Sequence, residues 1–495
     1  MQLSYFSKTI NETREQLSSY FKFKTFVVLF IINLFAYSSL LIADVYFADD
    51  NVRRFTGKIT LGGLGRIFDE LVIVLWNFSR TILDSSPLYQ LYSMLILALT
   101  SLALLAIFKI KAGYKQIIAA SFIGIFPLYY ANMVYKVDAP FMAMALFFCV
   151  LPFLFFEHKR TFIILSLLSS LLVLSTYQTA LAGYFILGIM FAIDRWSSKR
   201  DCDIKTLLWG SGFFIIGVVC YRIVIVPLID FSHVGGQLSV ATILPGVLSN
   251  IKSLSLQLKE LLGTGSFAIV VVLMLLFLVT FVQHSKQNKL LTVIIGLASI
   301  CVSFICTGSI NLLLNNFPNN ARYFLLVSFF IAIVAILASK QKSIFTTVLY
   351  TVIFMYFLNF DNGIGNALKT QNERKKMITN QMLYDFQDIV KDQPYNNVEI
   401  VNDRSESYNA QAFNTGSNLE GLRAVHHIGM VKNLMNDMDY SFENYIRLFL
   451  NQHHSTKNSQ EKTEESEFAI LLSKSSYDIL SNGKGIYRLR LKYLN

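Results

Sequence analysis

The sequence predicts a polytopic α-helical membrane protein of about eleven transmembrane helices, followed by a small α+β domain on the far side of the membrane. Three observations predict it. Hydrophobic residues make up 54% of the 495 residues and charged residues only 15%, where a soluble chain carries about a quarter charged residues. The apolar residues gather in blocks of roughly 16–22, close to the ~20 a helix needs to cross the hydrocarbon core. Lys and Arg concentrate in every second connection between the blocks. Blocks such as Phe26–Ala43 and Phe267–Val282 also lack the alternation of barrel strands, the other structure that satisfies its backbone in lipid.

Residues 1–24 are polar and carry Lys8, Arg14, Lys22 and Lys24. The block that follows is too long for a signal-peptide core and has no small-residue cleavage site, so it reads as an uncleaved anchor with a cytoplasmic N-terminus. The predicted spans are 25–43, 88–108, 116–133, 139–156, 161–176, 178–193, 206–228, 263–283, 290–308, 322–338 and 343–358, which make a transmembrane body over 25–358.

The even-to-odd connections hold Lys109, Lys111 and Lys115; Lys159 and Arg160; Arg195, Lys199, Arg200 and Lys205; Lys286 and Lys289; Lys340 and Lys342. Basic loops stay on the cytoplasmic side. With an odd number of spans, residues 359–495 then fall outside.

Two outer segments are long. In 44–87, Ile67, Leu71, Val74, Leu75 and Phe78 recur at helical spacing, with Arg66, Asp69, Glu70 and Arg80 marking a polar side. That is an amphipathic helix for the membrane interface. In 229–262, Leu254, Leu258, Leu261 and Leu262 predict a second one. Past residue 360 the texture turns polar: a helix over 365–392, strands at Val398–Val401, Phe468–Leu472 and Ile486–Leu491, a helix over 441–451 and a polar loop over 453–466.

The net charge of +11 fits basic cytoplasmic loops. No basic run with interleaved aromatics points to nucleic acid. Of five Cys, four (Cys149, Cys220, Cys301, Cys306) lie in apolar blocks and Cys202 in a basic loop, so neither a disulfide framework nor a metal spacing is present. Gly62, Gly63 and Gly65 do not follow a strand, which leaves no nucleotide fingerprint. The pairs His426-His427 and His453-His454 have no carboxylates at ligand spacing. No charged chain runs through the helices, which argues against an ion-coupled transporter.

The candidate chemistry lies at the outer face. Asp49 and Asp50 sit just beyond the first span, in Tyr46-Phe47-Ala48-Asp49-Asp50-Asn51-Val52-Arg53-Arg54. Adjacent carboxylates disfavour joint ionisation, and a carboxylate of raised pKa at a membrane surface suits a general base. Asp138, in the short turn before Pro140, is either a helix cap or a second acid of the same site. Arg53, Arg54, Arg66, Arg322 and Lys136 are the cations for a phosphate on that side, Arg because its fork binds bidentately. Each is otherwise a snorkelling anchor. Tyr177 and Gln178, a polar break between two apolar segments, are candidates for a sugar, or simply a tight turn.

The run Tyr46–Arg53, then Leu64-Gly65-Arg66, then Tyr135–Asp138, then Thr176-Tyr177-Gln178 resembles the serotype-converting O-antigen glucosyltransferases of bacteria and their temperate phages. The resemblance covers most of the membrane body and is loose after residue 360, where the basic strand Tyr487–Tyr493 is similar. It implies a type C membrane glycosyltransferase fold in the bacterial inner membrane. It also implies an undecaprenyl-phosphate-hexose donor and a lipid-linked or polymeric O-antigen acceptor in the periplasm. The base then falls on Asp49 or Asp50 and a second acid on Asp138. Adjacent Asp-Asp departs from the Asp-x-Asp or Glu-x-Asp of metal-dependent relatives, so no metal or other cofactor is carried over. The competing readings are an O-antigen polymerase, for which the outer segment 309–321 is short, and a lipid-linked sugar flippase, for which a repeat would be expected.

Overall fold

The structure is a computed structural model that describes residues 12–13, 15, 17–47, 50, 53–54, 57–59, 61, 64–199, 203–228, 236–239, 241–390, 397–402, 468–474, 477–483 and 486–491. The predicted helix over 441–451, the loop over 453–466, both His pairs, Cys202 and Asp49 lie outside the described residues.

The chain enters the bundle through α1 (Phe23–Ala36) and α2 (Ser38–Ala43), which divide the first predicted span at Tyr37. Asp44 ends α2 in the left-handed region at φ 46°, a conformation Asp tolerates. The outer loop then folds α3 (Ile67–Asn77). Next come α4 (Leu88–Ile107), α5 (Tyr114–Ile125), the single turn α6 (Tyr130–Met133) and α7 (Ala139–Val150). They are followed by α8 (Lys159–Leu174), α9 (Gly183–Ser197) and α10 (Ile204–Val224). The last helices are α11 (Ile243–His284), α12 (Lys289–Cys306), α13 (Leu325–Ala338) and α14 (Ile344–Val390).

Among the described residues, eight helical stretches are long and apolar enough to cross a bilayer, and Phe23–Ala36 and Ala139–Phe155 are shorter apolar helices. α13 is apolar all round and every one of its 14 residues is buried, as a helix without a polar stripe should be when it forms the centre of a bundle. α10 instead presents Ile204, Leu208, Trp209, Ile215, Ile223 and Val224 outward, the composition of a surface that meets lipid.

The long helix α11 contains both the second predicted amphipathic helix and the eighth predicted span. They meet at Gly263, whose φ of 64° and ψ of 179° break the helix at a conformation reserved for glycine. Leu254, Leu258, Leu261 and Leu262 all face inward there.

The five basic connections gather at one end of the bundle. Glu157 binds Lys109 at 3.3 Å and Arg195 at 3.0 Å. Lys286 donates its backbone N–H to the Ser197 carbonyl at 2.8 Å, Lys340 pairs with Asp194, and Lys115 donates to Thr346 at 3.0 Å.

The expected boundary at 358/359 falls inside α14, which runs unbroken from Ile344 to Val390. Its apolar half packs in the bundle through Tyr350, Phe357 and Ile364. Its polar half lays Met382, Leu383, Phe386 and Val390 on Tyr477, Ile479 and Leu489 of a four-stranded sheet. The strands are β1 (Asn397–Asn402), β2 (Ala469–Ser473), β3 (Tyr477–Ser481) and β4 (Ile486–Leu491), in the order β1-β4-β3-β2. β1 pairs parallel to β4 and the others are antiparallel. β3 was absent from the sequence reading because Tyr477 to Leu480 are all buried and show no polar alternation.

Candidate active site

The site is assembled from four separate stretches at the end opposite the basic connections. The first outer loop supplies Asp50, Arg53, Arg66 and Asp69, the α6–α7 turn supplies Asp138, the α8–α9 break supplies Tyr177, and the start of the last buried helix supplies Arg322.

Asp50 is 2% exposed. Its Oδ2 accepts the backbone N–H of Lys136 at 2.8 Å and its Oδ1 that of Val137 at 3.3 Å, while Arg53 Nη1 stands 3.9 Å away. Burial raises its carboxyl most, Arg53 pulls it back, Asp138 raises it and the two N–H donors lower it, which leaves it at about 7. The tie to 136–137 also fixes the turn that carries Asp138.

Asp138 is 1% exposed. Arg53 Nη1 donates to its Oδ1 at 3.0 Å and Arg66 Nη1 lies 3.6 Å from its Oδ2. Burial would raise this carboxyl, but Arg53, Arg66 and Arg322 together hold it below the ordinary carboxylate value. Two acids in one cluster are thus driven in opposite directions, a pattern that separates a proton acceptor from a fixed negative charge. Asp138 also precedes α7 at its cap position but makes no side-chain capping bond, so of the two readings of this residue the cluster prevails over the cap.

Arg322 is partly buried under the rings of Tyr135 and Tyr323, each 5.2 Å from its guanidinium carbon. Asn320 Oδ1 accepts its backbone N–H at 3.0 Å and sets the start of the helix. Its side chain donates to the Tyr323 hydroxyl at 3.2 Å, and its Nε has no hydrogen-bond partner among the described residues. No described carboxylate is within ion-pair distance of it.

The other predicted residues take different places. Lys136 sends its ammonium to Asp44 and over the Tyr46 ring at 3.6 Å, and it bonds Asp50 through its backbone N–H. Tyr177 places its ring 5.2 Å from the Arg66 guanidinium and donates its hydroxyl to the Arg322 carbonyl at 3.3 Å. Gln178 donates to the Leu64 carbonyl at 3.2 Å and Tyr221 to the Gly65 carbonyl at 2.6 Å. These three side chains brace the outer loop and the Arg322 turn. Arg54 pairs with Asp84 at 3.4 Å, away from the acids. Among the described residues no three His, Cys, Asp or Glu side chains form a metal-ligand set.

Two acids escaped the sequence reading. Asp69 lies on the polar side of the amphipathic helix α3 and is 0% exposed, while Leu71, Leu75 and Phe78 are 53%, 59% and 95% exposed. The helix is amphipathic as expected, with its apolar side outward, as at a membrane interface, and Asp69 turned to the protein. Asp361 lies in α14, beyond the end of the last predicted span, and is also 0% exposed.

The sequence profile of the glucosyl transferase GtrII family matches residues 38–354, from α2 to the apolar half of α14. The chain belongs to the glucosyl transferase GtrII family. The matched stretch includes the whole acid–guanidinium cluster. The chain is also 26% identical over 242 residues to a Salmonella phage P22 protein described as "Uncharacterized 55.3 kDa protein in gtrB 5'region". That alignment covers 46% of this chain, and it spans about half, 49%, of the relative's length. No solved structure matches the chain. The match to the GtrII family agrees with the resemblance read from Tyr46–Arg53, Leu64–Arg66, Tyr135–Asp138 and Thr176–Gln178.

Proposed function

We propose that the chain is a membrane glucosyltransferase. It moves a glucosyl group from an undecaprenyl-phosphate-linked donor to a sugar hydroxyl of the O-antigen, with inversion. In this reading eleven helices span the bacterial inner membrane, the N-terminus is cytoplasmic, and the acid cluster and residues 359–495 face the periplasm. The observation that carries it is the meeting of Asp50 and Asp138 on one guanidinium, Arg53, in a site with an Arg322 that makes no ion pair with a described carboxylate.

The parts divide as follows. Asp50 takes the proton of the acceptor hydroxyl as its oxygen attacks the anomeric carbon from the face opposite the phosphate. The bond between the anomeric carbon and the phosphate oxygen breaks, and its electron pair leaves on the lipid phosphate. Arg322 meets the charge that grows there, and a preoriented cation in a water-poor site is an effective stabiliser. Asp138 keeps its charge and holds Arg53 and Arg66 in place. Asp49, next to Asp50, shares the expectation from sequence.

The membrane body accounts for a donor with a lipid tail, and the lack of a nucleotide motif agrees with a donor that has none. The oxygens of Asp50 and Asp138 are already met by two N–H groups and two guanidinium groups, which supports activity without a divalent ion. The test uses membranes containing the chain, polyprenyl-phosphate glucose labelled in the sugar, and an O-antigen acceptor. Labelled glycan with inverted anomeric configuration, undiminished by EDTA, is the expected result. Transfer from a nucleotide sugar in place of the lipid donor would overturn the reading.

A further inference from the structure

We propose that Asp69 is a specificity-determining residue that hydrogen-bonds hydroxyls of the donor's hexosyl ring. The assignment rests on the glucosyl-transfer reading and names the side chain that would grip the transferred sugar.

Asp69 sits in the first turn of α3, three residues after Arg66. Both of its carboxylate oxygens are enclosed and neither has a hydrogen-bond partner among the described residues. It shares the inward stripe of α3 with Ile73, which is 0% exposed, and Ile67, Leu71 and Leu75 point away. Its surroundings are those of the site: Arg66, Asp138 and Arg53 are the groups that act on it electrostatically. The turn is held firmly. The Phe68 N–H donates to the Ser175 carbonyl at 3.2 Å and Gln178 grips the Leu64 carbonyl.

A buried carboxyl without partners is costly to keep, because its lone pairs have lost water and gained nothing. At a binding site the missing partners belong to the ligand. The chemistry of the cluster narrows what the ligand offers. A phosphate is repelled by Asp69 and Asp138 together. A metal ion finds no three-ligand set among the described residues. A neutral hydroxyl pair fits both oxygens, and it fits the carboxyl in either protonation state. Burial pushes the carboxyl well up, and Arg66 offsets part of this. The donor's ring is the nearer candidate of the two sugars. Asp69 follows Arg66 by one helical turn, and Arg66 Nη1 lies 3.6 Å from Asp138 Oδ2, so its carboxyl belongs to the cluster through which the transferred ring must pass.

The experiment compares the full-length wild-type chain with Asp69→Asn and Asp69→Leu, in membranes, per molecule of protein. The donors are polyprenyl-phosphate glucose and its 2-, 3-, 4- and 6-deoxy forms. For the wild type, removing one particular hydroxyl should cost roughly 10- to 100-fold in kcat/KM, the range for leaving a buried polar group unpaired. Asp69→Leu should lose a similar factor on the intact donor and nothing further on that one deoxy donor. Asp69→Leu should still accumulate, since an apolar side chain removes the desolvation cost of a buried carboxyl that has no hydrogen-bond partner among the described residues. Equal losses by the variants on all deoxy donors, or normal kcat/KM for Asp69→Leu, would overturn the assignment. A wild type that uses none of these lipid donors would instead remove the glucosyl-transfer reading itself.

Discussion

Arg53 Nη1 and Asp138 Oδ1 stand 3.0 Å apart, 85 residues distant in the chain, with their side chains 4% and 2% exposed. A pair so enclosed joins the first outer loop to the α6–α7 turn through charge. It cannot lose one member cheaply, because the other is left buried and uncompensated.

Arg53→Met should therefore destabilise the protein by about 3 kcal/mol, the low end of the usual ~3–5 for breaking a buried pair. Arg66, at 3.6 Å, retains part of the compensation. The midpoint of thermal unfolding in detergent checks this. A midpoint equal to that of the wild type would mean that the pair contributes nothing to holding the loop.

Asp50→Asn should abolish transfer, by about 10²–10⁴-fold as for the loss of a general base, while the protein still accumulates in the membrane. The pH profile carries an independent sign. Asp50 is an acid raised to about 7, and only its deprotonated form accepts a proton. The rate should fall as pH drops through about 7 and level off above it. Near-normal activity of Asp50→Asn, together with an acid limb near pH 4, would exclude Asp50 as the base.

Much of this was legible from sequence because membrane helices are specified by composition alone. α4, α10 and α12 begin within two residues of their expected starts, and α4 ends within one residue of its expected end. The acid–Arg motif was legible because charge is rare near apolar segments. The distribution of roles within it was not. Nothing in the spacing tells that the Lys136 ammonium turns to Asp44, or that Tyr177 and Gln178 act as braces. The polar side of α3 was legible, but not that Asp69 alone on it is fully enclosed, because spacing does not show what packs against a helix. β3 was missed because a strand buried along its whole length lacks the period-2 signal.

Topology gives a third prediction. The five basic connections meet at the end opposite Asp50, and basic loops remain cytoplasmic. Reporter fusions near residues 112, 200 and 340 should report the cytoplasm, and fusions near 240 and 400 the periplasm. A cytoplasmic signal at 400 would put the acid cluster on the wrong side for a periplasmic acceptor.

The fourth prediction concerns Arg322. Its side chain meets two aromatic rings and one tyrosine hydroxyl, and no described carboxylate pairs with it. A guanidinium so placed at the start of a helix retains donors for an arriving phosphate, and its planar fork binds two phosphate oxygens at once. Lys in its place keeps the charge and loses the fork. Arg322→Lys should therefore retain part of the activity, and Arg322→Ala should lose nearly all of it. The loss should fall on use of the lipid-linked donor, seen as a raised KM for that donor with the acceptor KM unchanged. A residue that merely anchors its helix behaves otherwise: Arg322→Ala would then lower the protein level, and activity per molecule would stay normal. Quantifying protein and transfer on the same membrane preparation separates the two, because only phosphate binding predicts normal accumulation with failed donor use.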